Sequence, residues 1–502
     1  MRPSEAYQWL DEHYRQTSYL ASAAELLAWD QRTCLPRKGH AHRAEQMAAL
    51  ARLLHEKSVD PRIADRLADV EGSELVDDFC RVEAVNVRHW RRDHDRSRKL
   101  PVSLSEELAR AAAASESAWE ASRRQGDWNA FAPHLERLLS LLRRKARALA
   151  GDGEPYDALL DEYEPGETVA RLAPMFDRLR EALSLLLKEI EGSKASLEAG
   201  ILELDCSVAD QEKLVRAAVT RLGYDLEAGR IDVAAHPFTV GIGPGDVRIT
   251  TRHERGSFAP ALFGAIHEAG HAMYEQGLPA EHWGRPRGEP ASLGVHESQS
   301  RLWENMVCRS AGFWEGFLPE VKRMLPELEG VGHDDFASAI NAVAPGPIRV
   351  EADEVTYNLH ILMRFELEMG LLSDDLKVGD LPGAWNEKMR DYLHVAVSDP
   401  ALGVMQDVHW AAGLVGYFPT YTLGNIYAAQ LYRAAGEQLG DLQEMFSAGR
   451  FAPLLKWLRE RVHRPGGTFE PRELICRVSG AEPDESCFVD YCRGKYGTIY
   501  EL

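Results

Sequence analysis

The 502-residue sequence has no apolar run that approaches the roughly 18 residues a membrane-spanning helix needs. It also lacks internal repeats and long flexible linkers, which favours one large unit over a string of small domains. Basic residues are in deficit, since 58 Lys and Arg stand against 79 Asp and Glu, for a formal net charge of −21. Because this field repels phosphate, we expect neither nucleic acid nor an anionic membrane as a main partner.

Cysteine is scarce and scattered, and no two cysteines form a CxxC pair. This spacing favours neither a disulfide framework nor a thiolate metal site, and it is typical of free thiols in a reducing cytosol. Residues 1–16 read as the start of an amphipathic helix rather than as a signal peptide. We therefore expect a cytoplasmic protein. The seven cysteines are Cys34, Cys80, Cys206, Cys308, Cys476, Cys487 and Cys492.

Helical periodicity is what the sequence has in abundance. Apolar residues recur every three to four positions through most of residues 4–195, and again from about residue 258 to the end. Residues 236–254 differ, because β-branched runs of alternating polarity flank a Gly/Pro turn, which predicts a β-hairpin. The predicted fold class is mostly α with a small antiparallel β element. Pro/Gly-rich breaks in the N-terminal part fall at 35–40, 99–103, 151–157 and 164–167.

The segment that follows the predicted hairpin, "FGAIHEAGHAMYEQG" at 263–277, contains an HExxH pattern. His267 and His271 are four residues apart, so both imidazoles project from one side of a helix and reach one zinc ion at about 2.0–2.1 Å. Glu268 lies beside them, where a carboxylate acts as general base on a metal-bound water. The pattern also arises by chance, so a third ligand decides between a zinc site and a polar helix face.

Two glycines inside this predicted helix, Gly264 and Gly270, each cost about 1 kcal/mol relative to alanine. Such a cost indicates that another element approaches the helix backbone closely. Ser257 is the predicted cap of the helix and Gly277 its stop signal.

Glu297 is the predicted third ligand. It lies 26 residues after His271, at the start of another helical pattern, and it completes a His2Glu set that leaves one metal position open. Glu304 is a competing ligand on the same pattern. The alternative role for Glu297 is an ordinary i,i+4 ion pair with Arg301, which on a surface contributes only a few tenths of a kcal/mol.

Polar residues also stand out in two later segments. Residues 347–368 place three of them on one face of an amphipathic helix, although an ordinary Arg–Asp pair on a polar stripe gives the same pattern. Residues 403–425 mix three more into an apolar, Gly-rich run, where a buried core histidine is the simpler interpretation. The residues are Arg349, Asp353 and Tyr357 in the first segment and His409, Tyr417 and Tyr421 in the second.

Six motifs in this order resemble the carboxypeptidase Taq family of zinc metallocarboxypeptidases, and the N-terminal residues 26–50 are similar to that family too. The resemblance therefore covers nearly the whole chain. The motifs are HPF (236–238), DVRIT (246–250), HEAGH (267–271), HESQ (296–299), IRVEAD (348–353) and GVMQDVHW (403–410).

This resemblance implies a mostly helical body split by a deep active-site groove, similar in fold to angiotensin-converting and neurolysin-like peptidases. It implies one metallocarboxypeptidase domain over 1–502, with 1–230 as helical lid and first wall of the groove and 231–502 as the metal-binding and catalytic part. Family members are cytoplasmic homodimers, so we expect a homodimer.

The resemblance also implies roles for single residues. The metal would be one Zn²⁺ per chain, with Co²⁺ as a possible replacement, and Glu268 would be the base. Asp246 and Arg248 are expected to shape the strand rather than take part in chemistry. The implied metal ligands are His267, His271 and Glu297; the implied substrate-binding residues are Arg349 for the C-terminal carboxylate, His236 and Tyr417; His409 and Tyr421 are alternative oxyanion donors; and Asp353 is a hydrogen-bond partner of a metal-binding histidine.

The implied function is a metal-dependent carboxypeptidase that releases single C-terminal amino acids from peptides with a free C-terminus. Two alternatives remain open. One is a zinc oligopeptidase or dipeptidyl carboxypeptidase of the same superfamily, and the other is a helical peptide-binding protein without catalysis. An intact Glu268 argues against the second, because losing it is the simplest way to end catalysis.

Overall fold

The computed structural model of this protein describes residues 1–195, 197 and 199–502, and it is mostly α-helical, as predicted. The helices of the N-terminal part are α1 (Pro3–Thr33), α2 (His40–Ser58), α3 (Arg62–Val70), α4 (Val82–Lys99), α5 (Val102–Arg123), α6 (Trp128–Ala150), α7 (Pro155–Leu160), α8 (Val169–Gly192) and α9 (Val208–Leu222). Four of them, α1, α4, α6 and α7, end at or just before the predicted Pro/Gly breaks, because proline removes a backbone hydrogen bond and glycine is unfavourable inside a helix.

Two hydrophobic clusters hold these helices. The smaller cluster joins α1, α3 and α4 around Trp90, whereas the larger one extends from Leu104 to Tyr500. Helices α5, α6, α8 and α9 therefore share their core with the part of the chain that follows residue 230. The two clusters divide near residue 100, because the apolar faces of these helices are buried against the later ones.

A small sheet lies in the middle of the chain. Its strands are β1 (Ile231–Val233), β2 (Thr239–Gly243) and β3 (Asp246–Thr251), in the order β1-β3-β2. The predicted hairpin is confirmed, since β2 and β3 pair antiparallel. The sequence does not predict β1, which is too short to show alternation and pairs parallel with β3, so the sheet is mixed rather than purely antiparallel.

The helices after the sheet surround the HExxH segment. Helix α11 is continued by a π-helix over Leu302–Val307, and it packs against both α10 and α16. The helices are α10 (Ala259–Glu275), α11 (Leu293–Arg301), α12 (Ala311–Met324), α13 (His333–Ala339), α14 (Glu354–Ser373), α15 (Leu381–Leu393), α16 (Pro419–Leu439), α17 (Leu442–Ser447), α18 (Ala452–Leu458), α19 (Pro471–Ser479) and α20 (Ser486–Tyr500).

Two local predictions about these helices are wrong. Ser257 does not cap α10, because the helix starts one residue later than that cap requires, with Phe258 at the N-cap position. Arg349 does not lie on α14 but in a 3-10 turn before it, since α14 begins only at Glu354. Within the described residues, we find no helix that is both long and apolar enough to cross a membrane.

A buried carboxylate ties the N-terminal part of the chain to α11. Glu164, between α7 and α8, accepts hydrogen bonds from the backbone N–H of Gly294 and from the hydroxyl of Tyr427, each at 3.0 Å. Gly294 lies in the first turn of α11, where unpaired N–H groups require acceptors. Burial raises the pKa of Glu164 to about 8, so this carboxyl group is largely protonated near neutral pH.

We predict that this proton makes stability depend on pH. The pKa of Glu164 rises on folding from 4.5 to about 8, so its contribution is complete below about pH 4.5 and is lost as pH rises through 8. Glu164→Gln keeps an uncharged acceptor and removes this titration. The melting temperature of the variant relative to the unmodified protein should therefore increase between about pH 5 and 9. An equal dependence of the melting temperature on pH in both proteins would contradict the raised pKa of Glu164.

Candidate metal centre and active site

Three predicted ligands converge between α10 and α11. The Nε2 atoms of His271 and His267 lie 3.4 and 3.7 Å from Oε2 of Glu297, and the three donor atoms lie within 4.8 Å of one another. Donors about 2.0–2.1 Å from one ion at tetrahedral angles are about 3.4 Å apart. The two imidazole nitrogens and one carboxylate oxygen therefore fit a divalent ion such as zinc or cobalt.

The opposite edge of each imidazole is also held. Nδ1 of His267 donates to Oε2 of Glu304 at 2.8 Å. Nδ1 of His271 donates to His296, whose ring Nδ1 lies at 2.6 Å and whose backbone carbonyl lies at 3.1 Å. The His296 ring in turn donates from Nε2 to Glu275 at 2.8 Å. With the protons on Nδ1, both Nε2 lone pairs point to the centre, which is how metal-binding histidines are oriented.

Glu304 thus supports a histidine, while Glu297 provides the carboxylate oxygen of the cluster. The prediction that Asp353 is a partner of a metal-binding histidine is wrong in this geometry. Asp353 caps α14 instead, and its oxygens accept from the backbone N–H groups of Val355, Thr356 and Ala344. Asp353 therefore acts as the N-cap of α14, where its carboxylate accepts from backbone N–H groups that have no partner within the helix.

The charge states of His271 and Glu297 match what a metal ion requires of its ligands, whereas His267 is held closer to its protonated form. Burial lowers the pKa of His271 to about 3, so this ring is neutral. Burial alone would also lower the pKa of His267, but the carboxylates of Glu297 and Glu304 more than offset it and raise the pKa. Burial opposes ionisation of Glu297, yet Arg301 and His267 outweigh it and hold its pKa well below the ordinary value. Glu297 is therefore a carboxylate.

Glu268 lies on α10 beside the ligands and is mostly buried. Its Oε2 accepts a hydrogen bond from the hydroxyl of Thr239 at 2.6 Å, from the edge strand β2. Burial raises the pKa of Glu268, which brings a carboxylate closer to the range where it both takes and returns a proton near neutral pH. No sequence pattern predicts this role for Thr239, although it directly follows the HPF motif.

Close helix packing brings α11 to this position. A Cβ on Gly270 would lie 2.6 Å from Cα of Ser300, and a Cβ on Gly424 of α16 would lie 2.5 Å from Cγ of Glu297. The prediction of a close approach is confirmed at Gly270. It is wrong at Gly264, where a Cβ would lie 3.7 Å from Pro237 in ordinary contact.

A second group of charged residues surrounds Arg349. Its Nε and Nη2 donate to Oδ1 of Asp407 at 3.0 and 2.8 Å, and its Nη1 donates to the hydroxyl of Tyr357 at 3.0 Å. Arg364 donates to the other oxygen of Asp407 at 2.8 Å. Two guanidinium groups thus share one carboxylate, which leaves a net positive charge. Asp407 lies in the GVMQDVHW motif, where its role as the partner of two arginines was not predicted.

The predicted groove residues lie beside this positive group. The hydroxyl of Tyr421 lies 3.1 Å from Nε2 of His409, and its ring centre lies 5.0 Å from Cζ of Arg349. The rings of Tyr417 and Tyr421 are 5.4 Å apart. Burial lowers the pKa of His409 to about 4, and burial followed by the charge of Glu297 raises the pKa of Tyr417. All three groups are therefore neutral at pH 7 and able to donate.

Two remaining motifs lie at the sheet. His236 is exposed, in the segment that leads into β2. Asp246 and Arg248 form an ion pair with each other on β3, with two contacts of 2.7 Å, as expected for residues that shape the strand.

Comparison with known proteins identifies relatives over nearly the whole chain. The family model of carboxypeptidase Taq (M32) metallopeptidases matches residues 9–496. Thermostable carboxypeptidase 1 of Thermus thermophilus is 53% identical over all of both chains, and carboxypeptidase 1 of Bacillus subtilis is 36% identical over 97% of each. The solved M32 carboxypeptidase from Deinococcus radiodurans R1 has a TM-score of 0.95 at 36% identity, over 99% of this chain and all of that one.

We predict that filling the gap at Gly270 separates α11 from α10. Gly270→Ala should destabilise the protein by about 1–3 kcal/mol, as overpacking does, and weaken binding of Zn²⁺ because Glu297 moves with α11. Gly264→Ala is the matched control in the same helix, where the new methyl group has room. Thermal melting and chelator competition for Zn²⁺ measure the two effects. Equal melting temperatures and equal Zn²⁺ affinities of the two variants would show that the contact at Gly270 does not position Glu297.

Proposed function

The chain belongs to the carboxypeptidase Taq (M32) family and is a metal-dependent carboxypeptidase that acts on peptides, and from this premise we propose which residues carry the reaction. His267, His271 and Glu297 hold one divalent ion per chain. The observation that carries this proposal is the convergence of their donor atoms within 4.8 Å. We propose Zn²⁺ as that ion, with Co²⁺ as a working replacement, because both suit two imidazoles and a carboxylate.

Glu268 is the proposed general base. When bound, the ion supplies Lewis acidity, which polarises the peptide carbonyl and acidifies water. Glu268 takes a proton from the attacking water and returns it to the amine that leaves. The hydroxyl of Thr239 at 2.6 Å keeps its carboxylate oriented during both transfers. The burial of Glu268 supports this role, because bulk water has little access to the proton that it carries.

Arg349 is the proposed binding group for the C-terminal carboxylate of the substrate. Asp407 and Tyr357 occupy three of its five N–H groups, which leaves one on each terminal nitrogen. Such a pair is the fork that a carboxylate accepts in bidentate fashion. Buried Arg364 adds positive charge behind Arg349, so a substrate anion meets a net positive site rather than a neutral ion pair.

The neutral donors next to Arg349 complete the proposed groove. His409 or Tyr421 donates to the oxyanion that forms at the attacked carbonyl, and removing one such donor typically costs about 100- to 1000-fold in rate. Tyr417 contributes to carboxylate binding, and His236 to binding of the substrate backbone. With the terminal carboxylate held at Arg349, hydrolysis releases one residue at a time, which separates this function from internal cleavage.

Three features of the whole protein complete the proposal. We propose a single domain whose N-terminal helices form a wall or lid of the groove; contact of α1 with the β2–β3 hairpin, where Ser22 donates to the carbonyl of Ile242, supports it. Seven free cysteines support a reducing, cytoplasmic location. We propose a homodimer because of the family resemblance, and a light-scattering mass equal to one chain would contradict it.

We predict that cleavage requires the free C-terminus, the metal and Glu268. One N-blocked peptide with a free C-terminus and its C-terminal amide are incubated with Zn²⁺-loaded enzyme, with chelated enzyme and with Glu268→Gln. Mass spectrometry should show single-residue shortening of the free peptide by the loaded enzyme alone. Internal cuts in both peptides would favour an oligopeptidase, and full activity of Glu268→Gln would remove Glu268 as the base.

We predict that Arg349 accounts for the preference for a free carboxylate. Arg349→Gln should lower kcat/KM on the free peptide by about 100-fold, because a buried charge partner is lost. It should change the already poor cleavage of the amide little. Arg349→Lys keeps the charge but not the paired N–H groups, so its kcat/KM on the free peptide should lie between those of the unmodified protein and Arg349→Gln. An equal loss on both peptides would assign Arg349 to structure instead.

A further inference from the structure

Arg301 divides the two oxygens of Glu297 between two partners. Its Nε donates to Oε1 of Glu297 at 2.7 Å. The other oxygen, Oε2, lies 3.4 and 3.7 Å from the Nε2 atoms of His271 and His267. The hydroxyl of Ser300 also lies 3.1 Å from Oε2, but it is closer to the backbone carbonyl of Glu297, at 2.7 Å. The ion pair and the metal-ligand role, which are alternatives in the sequence, therefore coexist on different atoms of one carboxylate.

The same guanidinium group reaches the support of a second ligand. Nη1 of Arg301 lies 3.5 Å from Oε2 of Glu304, the oxygen that accepts the Nδ1 proton of His267. The ring of Tyr357 lies 4.1 Å from its Cζ, where it supplies a cation–π contact. Arg301 thus contacts the carboxylate ligand directly and a histidine ligand through one carboxylate.

Burial makes this arrangement rigid and specific. The side chains of Arg301, Glu297 and Glu304 are 13%, 7% and 13% exposed. Burying a charged arginine has a large desolvation cost, so an ion pair buried in this way contributes little net stability. The fixed planar geometry of the guanidinium group, by contrast, determines which oxygen of Glu297 is available.

We propose that Arg301 is a positioning residue that makes Glu297 a one-oxygen ligand and so keeps one metal position open for the reaction. A carboxylate with both oxygens free binds one ion through either one or two of them. With Oε1 held by Arg301, only Oε2 remains for the ion. A catalytic site needs this restriction, because its fourth position has to accept water and substrate. The inference rests on the metal ligands proposed above.

Co²⁺ is the probe that tests it, because its visible absorption weakens as the ion gains ligands and departs from tetrahedral symmetry. Full-length Arg301→Gln, loaded with Co²⁺, should absorb less per bound ion than the unmodified protein. Its affinity for Zn²⁺, measured by chelator competition, should fall by about 10- to 100-fold, the usual effect of losing an outer partner. Arg301→Lys retains a donor near Oε1 and should recover part of both properties.

Arg43→Gln is the matched control. Arg43 on α2 is also buried, its Nη2 pairs with Asp30 of α1 at 2.6 Å, and its hydrogen bonds go to Leu27, Asp30 and Gln46 rather than to any proposed metal ligand. It should lose thermal stability but keep the Co²⁺ spectrum and the Zn²⁺ affinity. If Arg301→Gln does not fold, Arg301→Lys carries the test, with a weaker spectrum and affinity than the unmodified protein as the expected result.

The outcomes separate this inference from the proposed metal site. A normal Co²⁺ spectrum and normal Zn²⁺ affinity in the folded Arg301 variants would overturn the role of Arg301 alone. An unchanged spectrum in His271→Ala would show that Co²⁺ binds elsewhere, and it would overturn the proposed ligand set together with this inference. Loss of the signal in His271→Ala, with a weakened but present signal in Arg301→Gln, is the result that supports both.

Discussion

The close approach of α11 to α10 and α16 is the constraint on which the rest of the site depends. Gly270 and Gly424 have no side chain at the two contacts where a Cβ would lie 2.5–2.6 Å from α11. Because of that space, Glu297 reaches the two histidines of α10 although it comes from another helix. A glycine inside a helix costs about 1 kcal/mol, and here that cost is offset by the close packing that only a glycine allows.

Around this contact, the buried charged residues form small groups, and in each group one charged side chain keeps some of its polar atoms available for an external ligand. At the metal centre, Arg301 holds one oxygen of Glu297 and leaves the other toward the histidines. At the neighbouring group, Asp407 holds one edge of Arg349 and leaves the other toward the groove residues. In both cases a partner inside the protein orients a charged group, so that less entropy is lost when an external ligand binds.

Much of this was predictable because it depends on local spacing. The helical period, the Pro/Gly breaks and the β2–β3 hairpin follow from short-range patterns, and so does the stacking of His267 and His271 on one face of a helix. β1 was not predictable, since three residues show no alternation and their pairing is set by β3. The division of the core near residue 100 depends on which helix faces meet, and a periodic pattern does not say which partner a face will find.

The sequence by itself determined the type of candidate site: two histidines and a glutamate in helical register, a second glutamate as candidate third ligand, and ordered motifs typical of the family. Only the tertiary structure decided which polar residue forms a hydrogen bond with which partner. Glu304 rather than Asp353 supports His267, because Asp353 is needed by the free N–H groups at the start of α14. Hydrogen bonds to a metal-binding histidine come from whichever carboxylate the folded chain brings within about 3 Å, and sequence spacing alone does not determine that distance between helices.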